Sequence, residues 1–320
     1  MWIVPESAIA GLVDEQSAFD AIEATFAAMS RGDAYNFPVV REALGEGRQY
    51  GFKSGLDRVG SLLGVKSGGY FPGNAARGIP NHQSTVFLFD PDSGKPTAMV
   101  GGNLLTALRT AAASSISIRH LARGDAKVLG MVGAGHQSAF QMRAAVRARA
   151  FEKVIGWNLH PEMLTRLAET AAELGLPFEA VDLDRLGAEA DVIITITSSF
   201  DAILTDAQIR PGTHLACMGT DTKGKQEVEA TLLTRASVFT DEVAQSVSIG
   251  EAQHAVAAGL LDEGAIAEIG AVINGVHPGR TSAEEITLFD GTGVGLQDLA
   301  VASKAVELAI AQGLAQQVAF

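Results

Sequence analysis

A lone cysteine, Cys217, stands in a chain of 320 residues, so no disulfide can close within it. Set in Leu215-Ala216-Cys217-Met218, that thiol reads as a small buried side chain of a protein kept in a reducing, cytoplasmic compartment. The seven histidines fall in neither His-Glu-x-x-His nor Cys-x-x-Cys spacing, so the sequence offers no metal site. Long apolar runs are missing too. Asn103, Arg109 or glycines interrupt them short of membrane-spanning length, and Met-Trp-Ile-Val-Pro-Glu at the start lacks the regions of a secretory leader. A soluble protein is expected. Basic charge is scarce: 24 Lys and Arg against 37 Asp and Glu leave a net charge of −13, which argues against nucleic acid or an anionic membrane as partner. Repeats, low-complexity tracts and long linkers are also absent. What remains is a chain with 47% apolar residues, long enough for two domains and a large core.

The acidic balance reverses locally. From Arg41 to Arg77 six basic residues (Arg41, Arg48, Lys53, Arg58, Lys66, Arg77) face three acidic ones (Glu42, Glu46, Asp57). Arg48, Arg58 and Arg77 read as solvated surface. Arg41, Lys53 and Lys66 differ because apolar or glycine residues surround them, as in Phe52-Lys53-Ser54-Gly55 and Val65-Lys66-Ser67-Gly68. A cation on a strand beside glycines can face a pocket, which points to a small anionic ligand.

Periodicity predicts a first helix from Glu15 to about Arg31, capped by Asp14, ended by Gly32, with Phe19, Ile22, Phe26 and Met29 on its core face. Short strands and glycine turns follow from Phe37 to Asp90, then an Ala-rich helix from Leu104 to Ala122. Beyond it, strands at 128–132, 154–157, 178–181, 191–197, 214–218, 237–240 and 286–289 alternate with helical or irregular segments, and a helix at 296–312 closes the chain. Such alternation predicts a mainly parallel sheet with helices on both faces. The expected fold is α/β: a Rossmann-like, doubly wound nucleotide domain over 122–294, inserted into an α+β substrate-binding and dimerisation domain made of 1–121 and 295–320.

The most specific chemical signal is Gly133-Ala134-Gly135-His136-Gln137-Ser138, an apolar strand ending in a glycine turn that opens a helix. Gly133 allows the sharp turn, and Gly135 lets a pyrophosphate approach backbone N–H groups. A second strand follows and ends at Asn158, about twenty residues on, where a ribose-binding side chain is expected. Asn158 can bond a ribose hydroxyl and Leu159 offers a 2′-phosphate nothing, so the reading favours NAD(H) over NADP(H), with His160 and Arg166 as the residues that argue the other way.

Several further segments carry a resemblance. Gly64-x-Lys66 with Pro72-x-Asn74, Leu105-Thr106-Ala107-Leu108-Arg109-Thr110-Ala111, Gly133-Ala134-Gly135-x-Gln137, Gly219-Thr220-Asp221 with Gly224-Lys225-x-Glu227, and Gly250-Glu251 resemble the signatures of the ornithine cyclodeaminase and μ-crystallin family over nearly the whole chain, closest to its imine-reductase branch. The resemblance implies that Lys66 touches substrate and does acid–base work while Asp221 lies beside the nicotinamide, and that Arg41 binds a substrate carboxylate. Arg109 either does likewise or holds the pyrophosphate. It also implies cofactor contacts at Thr110, Gly133, Gly135, His136, Gln137, Asn158, Ser198, Met218, Gly219, Thr220, Lys225 and Gly291, and a homodimer. His82 is either a second proton donor or a structural histidine, and Ser198 and Ser199 either touch ligand or cap a helix.

One departure bears on substrate. Where diamino-acid cyclodeaminases carry a glutamate, the matching position is Lys53, which would repel an ammonium and attract a second carboxylate. The expectation is therefore NADH-dependent reduction of a small imino acid to an amino acid, with iminosuccinate to L-aspartate as the most specific candidate. A cyclodeaminase, and a non-catalytic protein binding cofactor and a small acid, are the alternatives.

Overall fold

The computed structural model describes residues 1–320. Contacts divide them into two compact units, Met1–Arg109 with Val294–Phe320, and Thr110–Gly293. The first division falls inside the helix Asn103–Leu121. No helix is long and apolar enough to cross a membrane.

The first unit is built on strands β1 (Trp2–Val4), β2 (Ala34–Asn36), β3 (Val40–Gly45), β4 (Arg48–Asp57), β5 (Leu62–Tyr70), β6 (His82–Phe89) and β7 (Pro96–Gly101). Their order is β1-β7-β6-β5-β4-β2, with β3 also on β4 and the short strand Gln316–Gln317 on the free edge of β1. Only β1 and β7 run parallel. The β4–β5 hairpin turns where the Asp57 carboxylate accepts the backbone N–H groups of Val59 and Gly60, a local bond that Asp makes readily. Helix Glu15–Ser30 starts at Asp14, whose side chain accepts from Ser17 N, and ends before Gly32 in the left-handed region. Phe19, Ile22 and Phe26 are buried as expected. Met29 is not: it is half-buried, and its sulfur accepts from Asn36 Nδ2.

Register decides which side chains meet. Lys53 of β4 is paired directly with Lys66 of β5, and Arg41 of β3 with Gly51, two residues before Lys53 on the same face. The paired glycines Gly55 and Gly64 lie on that face as well. A Cβ on Gly55 would stand 2.9 Å from Leu296 Cγ and one on Gly64 2.7 Å from Leu299 Cδ2, so both glycines let the closing helix, Gly295–Ala311, lie directly on the strands. That helix therefore brings Asp298, in its first turn, to the two lysines.

The second unit is a parallel sheet of β8 (Val128–Val132), β9 (Lys153–Trp157), β10 (Phe178–Ala180), β11 (Val192–Thr195), β12 (His214–Cys217), β13 (Ala236–Thr240), β14 (Ala267–Glu268) and β15 (Ile286–Asp290). The order β10-β9-β8-β11-β12-β15-β13-β14 reverses direction between β8 and β11, the place where doubly wound sheets open a crevice at their carboxyl ends. Short central strands such as Val-Ile-Ile-Thr in β11 are buried on both faces, which is why they are continuously apolar.

Candidate active site

In the first unit, Lys53, Lys66, Arg109 and Asp298 are all buried. Lys66 Nζ donates to Asp298 Oδ1 at 2.9 Å, and Arg109 Nε donates to the same oxygen at 3.1 Å. Arg109 Nη1 donates to Gln297 Oε1 at 3.2 Å. Arg41, half-buried, completes the cationic set. Burial pushes the Lys66 ammonium down to about 8, the Asp298 carboxylate pulls against this, and Arg109 and Arg41 lower it further. Burial acts to raise Asp298, but Lys66, Arg109 and Lys53 together outweigh it and leave the carboxyl below its usual range. Asp298 Oδ2 is buried without a hydrogen-bond partner. His82 lies at the start of β6, paired with Tyr70, four residues along β5 from Lys66. Arg48, Arg58 and Arg77 are exposed, as the sequence suggests.

In the second unit, Gly133 has φ +107°, and a Cβ there would meet Ile196 O at 2.6 Å, so only glycine permits the turn between the ends of β8 and β11. Gly135 has nothing within 4 Å of the place a Cβ would take. Ser138, in place of a third glycine, is buried and donates to Gly135 O. Asn158 braces the turn: its Oδ1 accepts from Ala134 N at 3.0 Å and its Nδ2 donates to His160 O. Arg166 also reaches the turn, donating to Ala134 O at 3.1 Å, while Leu159 is 73% exposed. Partial burial, with Arg166 nearby, holds His136 below the usual histidine range. Gln137 Oε1 is buried without a partner. Thr110 is buried in this unit. Ser198 is exposed in the loop after β11, and Ser199 bonds Asp201 in a turn, so neither caps a helix.

The loop after β12 carries Met218, Gly219, Thr220, Asp221 and Lys225, and Gly291 follows β15. Asp221 Oδ1 accepts from Lys225 Nζ at 2.9 Å, and Lys225 also donates to Gly219 O. Met218 packs where a side chain on Gly291 would stand, 2.5 Å from its Cε. Two buried carboxylates that composition and spacing did not single out as chemical groups hold this loop. Glu227 accepts from Thr195 Oγ1, Thr197 N and Oγ1, and Gly219 N; Glu251 accepts from Thr220 Oγ1, Glu227 N and Val228 N. Neither faces a cation in these bonds. Burial accordingly raises both, Glu251 to about 8, where the Glu227 charge adds to the effect. Asp298 carries no motif either: it falls in the first turn of the closing helix, with nothing adjacent in sequence that marks it as a site residue. Cys217 is buried, and burial raises its thiol. No three His, Cys, Asp or Glu side chains are placed to hold a metal ion.

The model of the ornithine cyclodeaminase/mu-crystallin family matches residues 5–312. The iminosuccinate reductase of Paracoccus denitrificans is 66% identical over 319 residues, 99% of each chain. Its crystal structure in complex with NAD+ superposes with a TM-score of 0.96 at 65% identity, covering 100% of this chain and 99% of the other. An archaeal alanine dehydrogenase dimer with bound NAD gives 0.95 at 29% identity (100% and 99% covered), and the Thermococcus litoralis Δ1-pyrroline-2-carboxylate reductase with NADH and L-proline gives 0.94 at 26% (99% and 100%).

Proposed function

Because the chain belongs to the ornithine cyclodeaminase/mu-crystallin family, we propose that it is an NADH-dependent imine reductase converting iminosuccinate to L-aspartate. The observation that carries this reading is the cluster of buried Lys53, Lys66 and Arg109 with half-buried Arg41 around one carboxylate, Asp298. Four cations and one anion leave an excess of three positive charges, which suits a substrate with two carboxylates and repels a diamino acid. The Paracoccus relative and the NAD-bound neighbours support the same reading.

The second unit fits the cofactor. The open space at Gly135 admits a pyrophosphate to the turn, and the unpartnered Gln137 Oε1 can accept from a ribose hydroxyl. Thr110, Ser198, Met218, Gly219, Thr220, Lys225 and Gly291 are the further residues assigned to hold it. Bound NADH supplies the hydride that the imine carbon takes up. The protein's part is charge and proton placement. Arg109 and Arg41 grip the α-carboxylate, Lys53 takes the distal one, and Lys66 is the acid that protonates the imine nitrogen. An ammonium held near 8 gives up its proton more readily than an ordinary lysine while remaining charged at neutral pH. Asp221 stabilises the positive nitrogen that this creates. The lone buried thiol and the use of NADH fit a cytoplasmic enzyme.

A homodimer belongs to the same reading. Tyr35, Val40, Tyr50 and Phe52 lie on the face of β2, β3 and β4 opposite the lysines, each 37% to 46% exposed. Four exposed apolar side chains on one sheet face, and an archaeal relative that is a dimer, support this. Sedimentation should show a dimer that Phe52→Lys weakens; an unaltered monomer would refute it.

NADH absorbance tests the activity. Oxaloacetate with ammonia should support oxidation far better than pyruvate with ammonia, and ornithine should release no ammonia. Loss of a charge-assisted bond costs roughly 1.5–3 kcal/mol, so Lys53→Met should cut the preference for the dicarboxylate by about ten- to a hundredfold. Equal turnover of pyruvate imine would overturn the substrate assignment.

A further inference from the structure

Lys66 and Arg109 come from a strand and a helix far apart in the sequence, yet both donate to a single oxygen of Asp298. Asp298 is 1% exposed and stands in the first turn of a helix whose seat on β4 and β5 is fixed by Gly55 and Gly64. A carboxylate so placed determines where two substrate-facing cations point. It also offsets their mutual repulsion. We propose that Asp298 is the positioning residue of the reaction: it locks Lys66 and Arg109 into one constellation and keeps the Lys66 ammonium charged in the free enzyme until an anionic substrate arrives. This deepens the reading given above and rests on Lys66 being the acid.

The electrostatic surroundings support the assignment. Lys66 is faced by Lys53 from the neighbouring strand, Arg41 from β3 and Arg109 from helix Asn103–Leu121, all cations, with Asp298 from helix Gly295–Ala311 opposing them. His82, on the strand that flanks β5 on its other side, lies further along. Without Asp298, a buried ammonium among three cations sheds its proton. A bound dianionic substrate restores negative charge to the same place, so the consequence falls on the free enzyme more than on the complex.

The test is the pH dependence of kcat/KM and of kcat for the parent enzyme, Asp298→Asn, Asp298→Glu and Lys66→Ala. Ionisations of the substrate are common to all four and cancel in the comparison. Asp298→Asn should move the alkaline limb of kcat/KM down by at least about one pH unit, move the limb of kcat less, and leave NADH binding by fluorescence unchanged. Asp298→Glu keeps the charge but displaces both cations, so its limb should stay in place while its rate falls at least about tenfold. An unmoved limb in Asp298→Asn, a moved limb or full rate in Asp298→Glu, or a uniform loss at every pH overturns the proposal. Should Asp298→Asn fail to fold, the Asp298→Glu outcomes decide alone. An alkaline limb that survives in Lys66→Ala instead removes the premise that Lys66 is the acid.

Discussion

At the scale of single residues, the two units supply chemically different groups. The first holds cations drawn from four elements and one carboxylate between them; the second offers Asp221, an acid at the end of a loop, paired with Lys225 at 2.9 Å. That pairing leaves Asp221 open to ligand, since its side chain is 37% exposed. In the proposed reaction, a carboxylate so exposed can meet a cation that forms only as the bond changes. Asp221→Asn preserves shape and the bond from Lys225 but removes the charge. Turnover should therefore fall by at least about a hundredfold with NADH affinity near normal, read from single-turnover rates and fluorescence titration. A variant retaining most of its turnover at saturating substrate would end the role assigned to Asp221.

At the scale of elements, the docking of the closing helix on β4 and β5 is the decisive event. Gly64 permits it: a Cβ there would lie 2.5 Å from Phe87 O and 2.7 Å from Leu299 Cδ2, and backbone on one side cannot yield. Gly64→Ala should cost about 1–3 kcal/mol of stability by overpacking and lower activity more than stability, because Asp298 rides on the displaced helix. Denaturation curves and steady-state rates measured together check this; an alanine variant with full activity would show that the helix seat does not matter. The glycine turn after β8 was legible from sequence, since its residues are contiguous and each glycine has a local reason. So were the parallel strands, whose apolar runs bear out the α/β reading, and the separation of Arg41, Lys53 and Lys66, with their apolar and glycine neighbours, from the exposed Arg48, Arg58 and Arg77. Asp298 was not legible. It meets Lys66 across 232 positions of chain, and a helix start with an acid in its first turn looks the same whether that acid caps the dipole or serves a site. Met29 misled for the opposite reason: periodicity places it on the apolar face, but the face runs out at the helix end, where Asn36 meets its sulfur.

At the scale of the whole molecule, buried acids without cation partners make stability depend on pH. Burial raises Glu251 to about 8 from 4.5, and Asp290 to about 7 from 3.8; Asp290 is held by Ser246 Oγ and Ala252 N with its Oδ1 unpartnered. Between each ordinary value and its raised one the folded protein binds a proton that the unfolded chain has lost. Stability from these groups is thus fully present below about pH 4 and is lost as pH rises through 7 and 8, at no more than about 1.4 kcal/mol per pH unit for each. His214 opposes them. It is buried between Ser117 and Thr287, and burial, with Arg280 and Arg149 nearby, depresses it to about 3 from 6.5, so its contribution is present above 6.5 and is lost as pH falls toward 3. The two trends cancel in part below 6.5; between 6.5 and 8 the acids dominate, opposed only as pH nears 8, where the buried Lys66 ammonium begins to lose a proton that the unfolded chain keeps. The melting temperature should therefore fall as pH rises from 6.5 to 8. Glu251→Gln mimics the protonated acid, with its amide able to donate to Thr220 Oγ1, and should flatten that decline by about half or more. Calorimetric scans of both proteins across this range are the measurement, and a parent enzyme whose melting temperature rises from pH 6.5 to 8 would mean that Glu251 and Asp290 stay ionised in the fold.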